Sequence, residues 1–210
     1  MLLNSKYLNE KKISDLIHDD YQYAKVLNSF GIDFYKHYDE NLIDLCDSKG
    51  ISSGKVLGYR NSLHESNLLA NEYLKSSPVN LVIEFLKDNH NYFIKNKLPY
   101  LQNLINNLNE NKYETNFSKD LKFIFPIFFE DFVEHIYEEE NDFFNYIYEL
   151  FNASQGRINP SSLLVMMKKH SIKKILDDHI NEDSEMAGIR GITRNYSYKN
   201  IKDLHLKVIF

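Results

Sequence analysis

The chain has 210 residues, of which 26% are charged and 43% hydrophobic, and its formal net charge is −5. This length and balance are typical of one folded domain with a small accessory domain, and they exclude a disordered polymer. The acidic charge and the scattered lysines exclude a basic surface for nucleic acid. A single cysteine, Cys46, excludes an internal disulfide and a thiolate cluster built by this chain alone.

The N-terminal sequence contains no continuous apolar segment of the kind found in signal peptides. A window of about eighteen apolar residues, which a membrane span requires, is also missing from the sequence. We therefore expect a soluble cytoplasmic protein with no membrane partner. Only seven glycines and four prolines occur, and no long apolar–polar alternation marks a strand. The pattern predicts an all-α protein.

The N-terminal third of the sequence predicts three short helices. Apolar residues recur at helical spacing through residues 11–30, and Gly31 then provides a C-terminal stop signal. A second helix follows at about 39–47, and a third runs from about 53 to 63. Together they predict a small helical domain over residues 1–71.

The polar stretch HESNLLANEYLKSSPVN indicates a connector, in which Pro78 favours the start of a new helix. We place the domain boundary near residue 72, so that the second domain spans 72–210. Long helical patterns typical of an up-down bundle then follow at 79–108, 118–152 and 160–182. The final stretch, SYKNIKDLHLKVIF, indicates the beginning of a fourth bundle helix that the sequence leaves incomplete.

The stretch VEHIYEEENDFF, residues 133–144, places one histidine and three consecutive glutamates within the second bundle helix. Residues four apart share a helix face, so His135 and Glu139 are expected to project together. Phenylalanines at spacings of three and four predict that this face is turned toward a core. The other glutamates are expected on the solvated side: Glu134, Glu138 and Glu140.

Two further helices each offer a histidine on an apolar face. His90 lies four residues after Leu86 and three before Phe93, and His179 lies toward the end of the third helix. For any one histidine a structural role is the simpler explanation, but one per helix indicates a metal site inside a bundle. Imidazole and carboxylate ligands suit non-haem iron. His170 is an alternative to His179, and periodicity does not decide between them.

Several stretches resemble the repair-of-iron-centres proteins of the ScdA and YtfE type. The N-terminal stretch YAKVLNSFGIDFYKHYDENLIDLCDSKGISSGKVL is similar to their small helical domain. The stretches NHNYFIKNKLPYL, HIYEEENDFF and DDHINEDSEMAGIRGITRNY are similar to three of the four helices of their hemerythrin-like bundle. The resemblance covers most of the chain, in the order found in the family.

The resemblance implies a di-iron centre in which His90, His135 and His179 are ligands and Glu139 bridges the two metals. It also implies a stress response in which iron–sulfur centres are repaired, or iron, nitric oxide or dioxygen is handled. Damaged iron–sulfur proteins, or iron donors and acceptors, are the implied partners. Turnover on an organic substrate is not implied.

The sequence departs from the family pattern at three places. Tyr35 and Lys36 replace the cysteine pair of the family's G-I-D-F-C-C turn, which removes its thiol chemistry. The stretch from His90 to the following Leu-Pro pair is one residue longer than in some members, so Asn91 is the alternative aligned residue. The family's fourth helix supplies a histidine and a glutamate that lie beyond this sequence, and two irons are expected only if that helix is supplied.

These departures support a second hypothesis. The chain is then a metal-free helical interaction protein, whose open bundle is closed by formation of a homodimer or by another partner. An apolar seam left without a fourth helix is typical of an association site.

Overall fold

The computed structural model describes residues 5–109, 117–169, 173, 185–193 and 203–210. Regular structure in these ranges is helical, apart from one isolated bridge between Lys12 and Asn41, which confirms the all-α class. None of the helices described combines the length and the apolar composition needed to cross a membrane. The contacts divide the chain into two compact units: Met1–Ser76 with Asn200–Phe210, and Ser77–Lys199.

The first unit begins with short helices around an apolar core and continues into one long helix. Its helices are α1 (Ser5–Asn9), α2 (Ile13–Asp19), α3 (Gln22–Ser29), α4 (Leu42–Ser48) and α5 (Ser53–Ser76). Gly31, which follows α3, has a φ of 72°, as expected for a C-terminal stop. Side chains spaced three and four apart bury one face of α2, α3 and α4, and they include Ile13, Leu16, Ile17, Leu27, Leu42 and Leu45.

Helix α5 is longer than the sequence pattern indicates. The third helix was expected to end near Leu63, and the next residues were expected to form a connector. The backbone instead stays helical to Ser76, because LLANEYLK contains good helix formers and Pro78 is the next residue that interrupts a helix. A boundary near residue 72 therefore falls inside a helix, and the contacts divide the chain after Ser76.

The second unit contains two long helices, each interrupted by a π-helical turn. The first long helix comprises α6 (Val79–Tyr92), the π turn Phe93–Lys97 and α7 (Leu98–Asn106), and the second comprises α8 (Phe117–Glu138), the π turn Glu139–Phe143 and α9 (Phe144–Ser154). Because α6 contacts α9 and α7 contacts α8, the two long helices lie side by side and antiparallel.

Two shorter helices pack on the second long helix. Helix α10 (Pro160–Lys169) contacts α9, and α11 (Glu185–Ile192) contacts α8. At Gly188 of α11, an added Cβ atom would meet Cδ1 at the far end of the Ile124 side chain. The glycine therefore leaves room for this side chain in its present position.

The last described helix, α12 (Leu204–Ile209), contacts α2 in the first unit. The carboxylate of Asp203 caps it by accepting a hydrogen bond from the backbone N–H of His205 at 2.9 Å. The buried ring of His205 stacks on Tyr35, with 4.6 Å between centroids and 7° between planes. This differs from the expected start of a fourth bundle helix, because an apolar face predicts that a helix is buried but not which core it joins.

The packing of α12 predicts the effect of removing Leu206, which is 3% exposed. We expect Leu206→Ala to lower the free energy of unfolding of the first unit by about 2–5 kcal/mol, because it leaves a cavity in a packed region. Urea unfolding followed by circular dichroism measures the change. The partly exposed neighbour gives a control, Lys207→Ala, expected to cost about 0.5 kcal/mol or less. Equal losses in the two variants would show that α12 is not packed on this core.

Candidate metal centre

The carboxylate of Glu139 lies between two imidazoles that come from the two long helices. Its Oε2 atom is 3.3 Å from Nε2 of His90, in the last turn of α6. Its Oε1 atom is 3.7 Å from Nε2 of His135, in the last turn of α8. The structure therefore brings together three of the four predicted ligands, and each carboxylate oxygen faces a different histidine.

Aromatic side chains enclose this cluster. The ring of Phe144 stacks on His90, with 5.5 Å between centroids and 11° between planes. The ring centroid of Phe132 is 6.5 Å from that of His135 and 6.2 Å from that of Phe93 in the first long helix. The side chains of the two histidines and Glu139 are 15–19% exposed. Partial removal from water strengthens the electrostatic interactions among them.

Both π turns lie next to the cluster. In each turn a backbone N–H donates to the carbonyl five residues earlier: Leu98 to Phe93 in the first long helix, and Phe144 to Glu139 in the second. A π turn adds one residue to a turn of α-helix, and such turns occur frequently at functional sites. The second one also places Phe144 one wide turn beyond Glu139, so both side chains reach His90.

The first π turn bears on the choice between His90 and Asn91. The wide turn Phe93–Lys97 begins after His90 and Asn91, so both residues keep the α-helical register of the helix before it. Asn91 is exposed, and its side-chain amide donates to the carbonyl of Lys87 in its own helix at 3.2 Å. His90, and not Asn91, faces the second long helix.

Glu140 is a member of the cluster that the sequence pattern missed. Its Oε1 atom is 2.9 Å from Nδ1 of His90, and its side chain is 25% exposed. The expectation that it lies on the solvated side was wrong, because the long side chain of a residue adjacent to Glu139 still reaches the second nitrogen of His90. Glu134 and Glu138, which precede the turn, are exposed as expected.

The third predicted histidine position lies outside the described residues. This applies to His179 and equally to its alternative, His170. A ligand from the third bundle helix therefore stays a prediction.

The donor atoms fit an iron site in type and partly in spacing. Two ligand atoms each about 2.1 Å from one ion are about 3.0–3.4 Å apart at the usual coordination angles. The distance of 3.3 Å between Nε2 of His90 and Oε2 of Glu139 lies in this range. The distance of 3.7 Å between Nε2 of His135 and Oε1 of Glu139 is longer. Within the described ranges, no three or more His, Cys, Asp or Glu side chains are already arranged as a metal-binding group. Each oxygen of Glu139 has one imidazole nitrogen facing it, so further donors must complete the coordination of an ion.

A groove of about 720 Å³ lies on a different face of the second long helix. Its apolar lining comes from Pro126, Phe129, Val133 and Tyr137. An acidic row at spacings of four flanks this lining: Glu130, Glu134, Glu138 and Asp142. The groove and the cluster share no side chain.

Comparison with protein-family models, with curated proteins and with solved structures finds no match to this chain. The fold and the cluster define an all-α protein with a carboxylate–histidine cluster between two antiparallel helices. The resemblance to the repair-of-iron-centres proteins therefore stays a prediction, and the function is argued from the geometry.

The stacking of Phe144 on His90 predicts a large loss of stability when the ring is removed. Phe144 is 5% exposed, and we expect Phe144→Ala to lower the free energy of unfolding of the second unit by about 3–5 kcal/mol. Tyr148 lies one turn further along and is 45% exposed, so Tyr148→Ala is the control, with an expected change of about 0.5 kcal/mol or less. Thermal and urea unfolding measure both variants, and similar losses would contradict a supporting role for Phe144.

Proposed function

We propose that this chain is a hemerythrin-like non-haem iron protein that handles iron, or repairs iron–sulfur centres, after damage by nitric oxide or oxidants. One observation carries the proposal: the two oxygens of Glu139 face Nε2 atoms of His90 and His135 on separate helices. A carboxylate in this position has the arrangement of a ligand that bridges two metal ions inside a helical bundle. The resemblance of the bundle stretches to the repair-of-iron-centres proteins supports the same function.

The residues of the cluster have distinct functions in this proposal. His90 and His135 each present one nitrogen, and Glu139 presents one oxygen to each position, a donor set that suits non-haem iron. The aromatic side chains of Phe93, Phe132 and Phe144 restrict the access of water and of small molecules. Iron bound here supplies a centre for small gaseous ligands, or metal for a damaged iron–sulfur cluster.

Charge also favours a cation at this place. Glu139 and Glu140 both approach His90, within 3.3 Å and 2.9 Å of its two ring nitrogens. Two carboxylates that approach one imidazole in a partly dry region favour positive charge at that place. A divalent cation beside the ring supplies this charge, and so does a second proton on the imidazole, so the metal content decides between them.

Metal analysis tests the proposal. Protein purified from iron-supplemented culture is expected to hold about two irons per chain if His179 and further donors complete the site. Glu139→Ala removes the shared ligand and is expected to abolish most of the iron content. Glu134, an exposed glutamate of the groove, gives the matched control: Glu134→Ala is expected to retain the iron content of the wild-type protein. Wild-type protein that stays metal-free after anaerobic reconstitution with ferrous iron would refute the proposal.

The groove supports a second candidate function, that of a metal-free helical interaction protein. The apolar lining of the groove is exposed, and Tyr137 within it is 56% exposed. Exposed apolar surface with a polar rim is typical of a protein–protein contact. A second copy of this chain or another helical partner would cover it.

The molecular mass in solution, measured by light scattering, tests whether the groove joins two copies of the chain. If the groove joins two copies, the metal-free wild-type protein has the mass of a dimer, and Tyr137→Ala shifts the population to monomer by removing a large contact surface. Phe123→Ala is the matched control, because Phe123 is exposed on the same helix but does not line the groove. The variant Phe123→Ala is expected to stay dimeric. A monomeric wild-type protein at micromolar concentration would exclude the homodimer.

A further inference from the structure

We infer that Glu140 is the positioning residue of the cluster: its carboxylate accepts a hydrogen bond from Nδ1–H of His90 and thereby aims Nε2 of His90 at Glu139. The inference rests on the proposed function, because the orientation matters most for a metal ion held at Nε2. Glu140 touches the metal ligand His90, and its own contribution is to fix the protonated nitrogen and the plane of the ring.

The two contacts of the imidazole have different lengths. Nδ1 of His90 is 2.9 Å from Oε1 of Glu140, well within the range of an N–H···O hydrogen bond. Nε2 is 3.3 Å from Oε2 of Glu139, beyond the usual limit of that range. A neutral imidazole has one donor nitrogen and one acceptor nitrogen. For a neutral ring, we therefore assign the proton to Nδ1, which leaves the lone pair of Nε2 directed at Glu139.

This assignment has a chemical consequence at Nε2. A nitrogen lone pair and a carboxylate oxygen that face each other repel, unless a positively charged atom lies between them. A metal ion satisfies both donors at once. Histidines that bind metals usually donate their other ring N–H to a carboxylate or a carbonyl, which fixes the tautomer and makes the metal-binding nitrogen more basic. Glu140 stands where such a partner is required.

Two consecutive glutamates reach one ring from different sides. Adjacent side chains on a helix point about 100° apart. The two nitrogens of the His90 ring also point in different directions, so Glu139 reaches Nε2 and Glu140 reaches Nδ1. Phe144 follows directly after the π turn Glu139–Phe143 and stacks on the ring, so the plane of the imidazole is fixed as well.

Anaerobic titration of the full chain with ferrous iron tests the inference. We expect Glu140→Ala to weaken iron binding by about 10–100-fold, as is usual when the partner of a metal-bound histidine is removed. In Glu140→Gln the amide oxygen still accepts from Nδ1–H, so its affinity is expected to stay close to that of the wild-type protein. The exposed neighbour gives the matched control, Glu138→Ala, whose affinity is expected to be unchanged.

A second measurement needs no metal. Nitrogen-15 NMR of the metal-free protein is expected to show the proton on Nδ1 of His90 in the wild type and in Glu140→Gln, and a mixture of tautomers in Glu140→Ala. A residue that only supported the fold would not change this ratio. Equal iron affinities of Glu140→Ala and wild type, or a His90 ring without a proton on Nδ1, would overturn the inference. Wild-type protein that binds no iron would refute the proposed function instead, while the tautomer measurement would still decide the role of Glu140.

Discussion

One contact constrains the structure around it: the carboxylate of Glu139 lies against imidazoles from two helices. Ionisable groups partly withdrawn from water cost free energy unless their partners are held in place. Here the partners are His90 and His135, and their separation depends on how closely the two long helices approach. The contact between Phe93 and Phe132, and the stacking of Phe144 on His90, hold that separation. These aromatic residues therefore hold the arrangement of the cluster.

The sequence predicted the members of the cluster where the backbone stays α-helical. His135 and Glu139 are four residues apart, and α8 keeps its regular spacing to Glu138, so the predicted pair faces the same way. Glu140 was missed because helical spacing assigns residues to faces, whereas the long side chain of an adjacent glutamate still reaches the second nitrogen of the same imidazole.

The C-terminal helix shows a different limit of sequence reasoning. Its apolar spacing correctly predicted a helix, yet the helix contacts the first unit, where His205 stacks on Tyr35. Tyr35 therefore serves packing in this unit. Cys46 is fully buried, and burial, with a smaller contribution from Asp47, raises the pKa of its thiol. A buried, protonated thiol is a poor nucleophile and a poor metal ligand.

The second long helix carries the cluster and the groove on separate faces. Glu139 and Glu140 turn toward the first long helix, while Glu134 and Glu138 lie beside the apolar groove. No side chain belongs to both the cluster and the groove. Substitutions in one therefore leave the other intact, and the metal content and the oligomeric state can be tested independently.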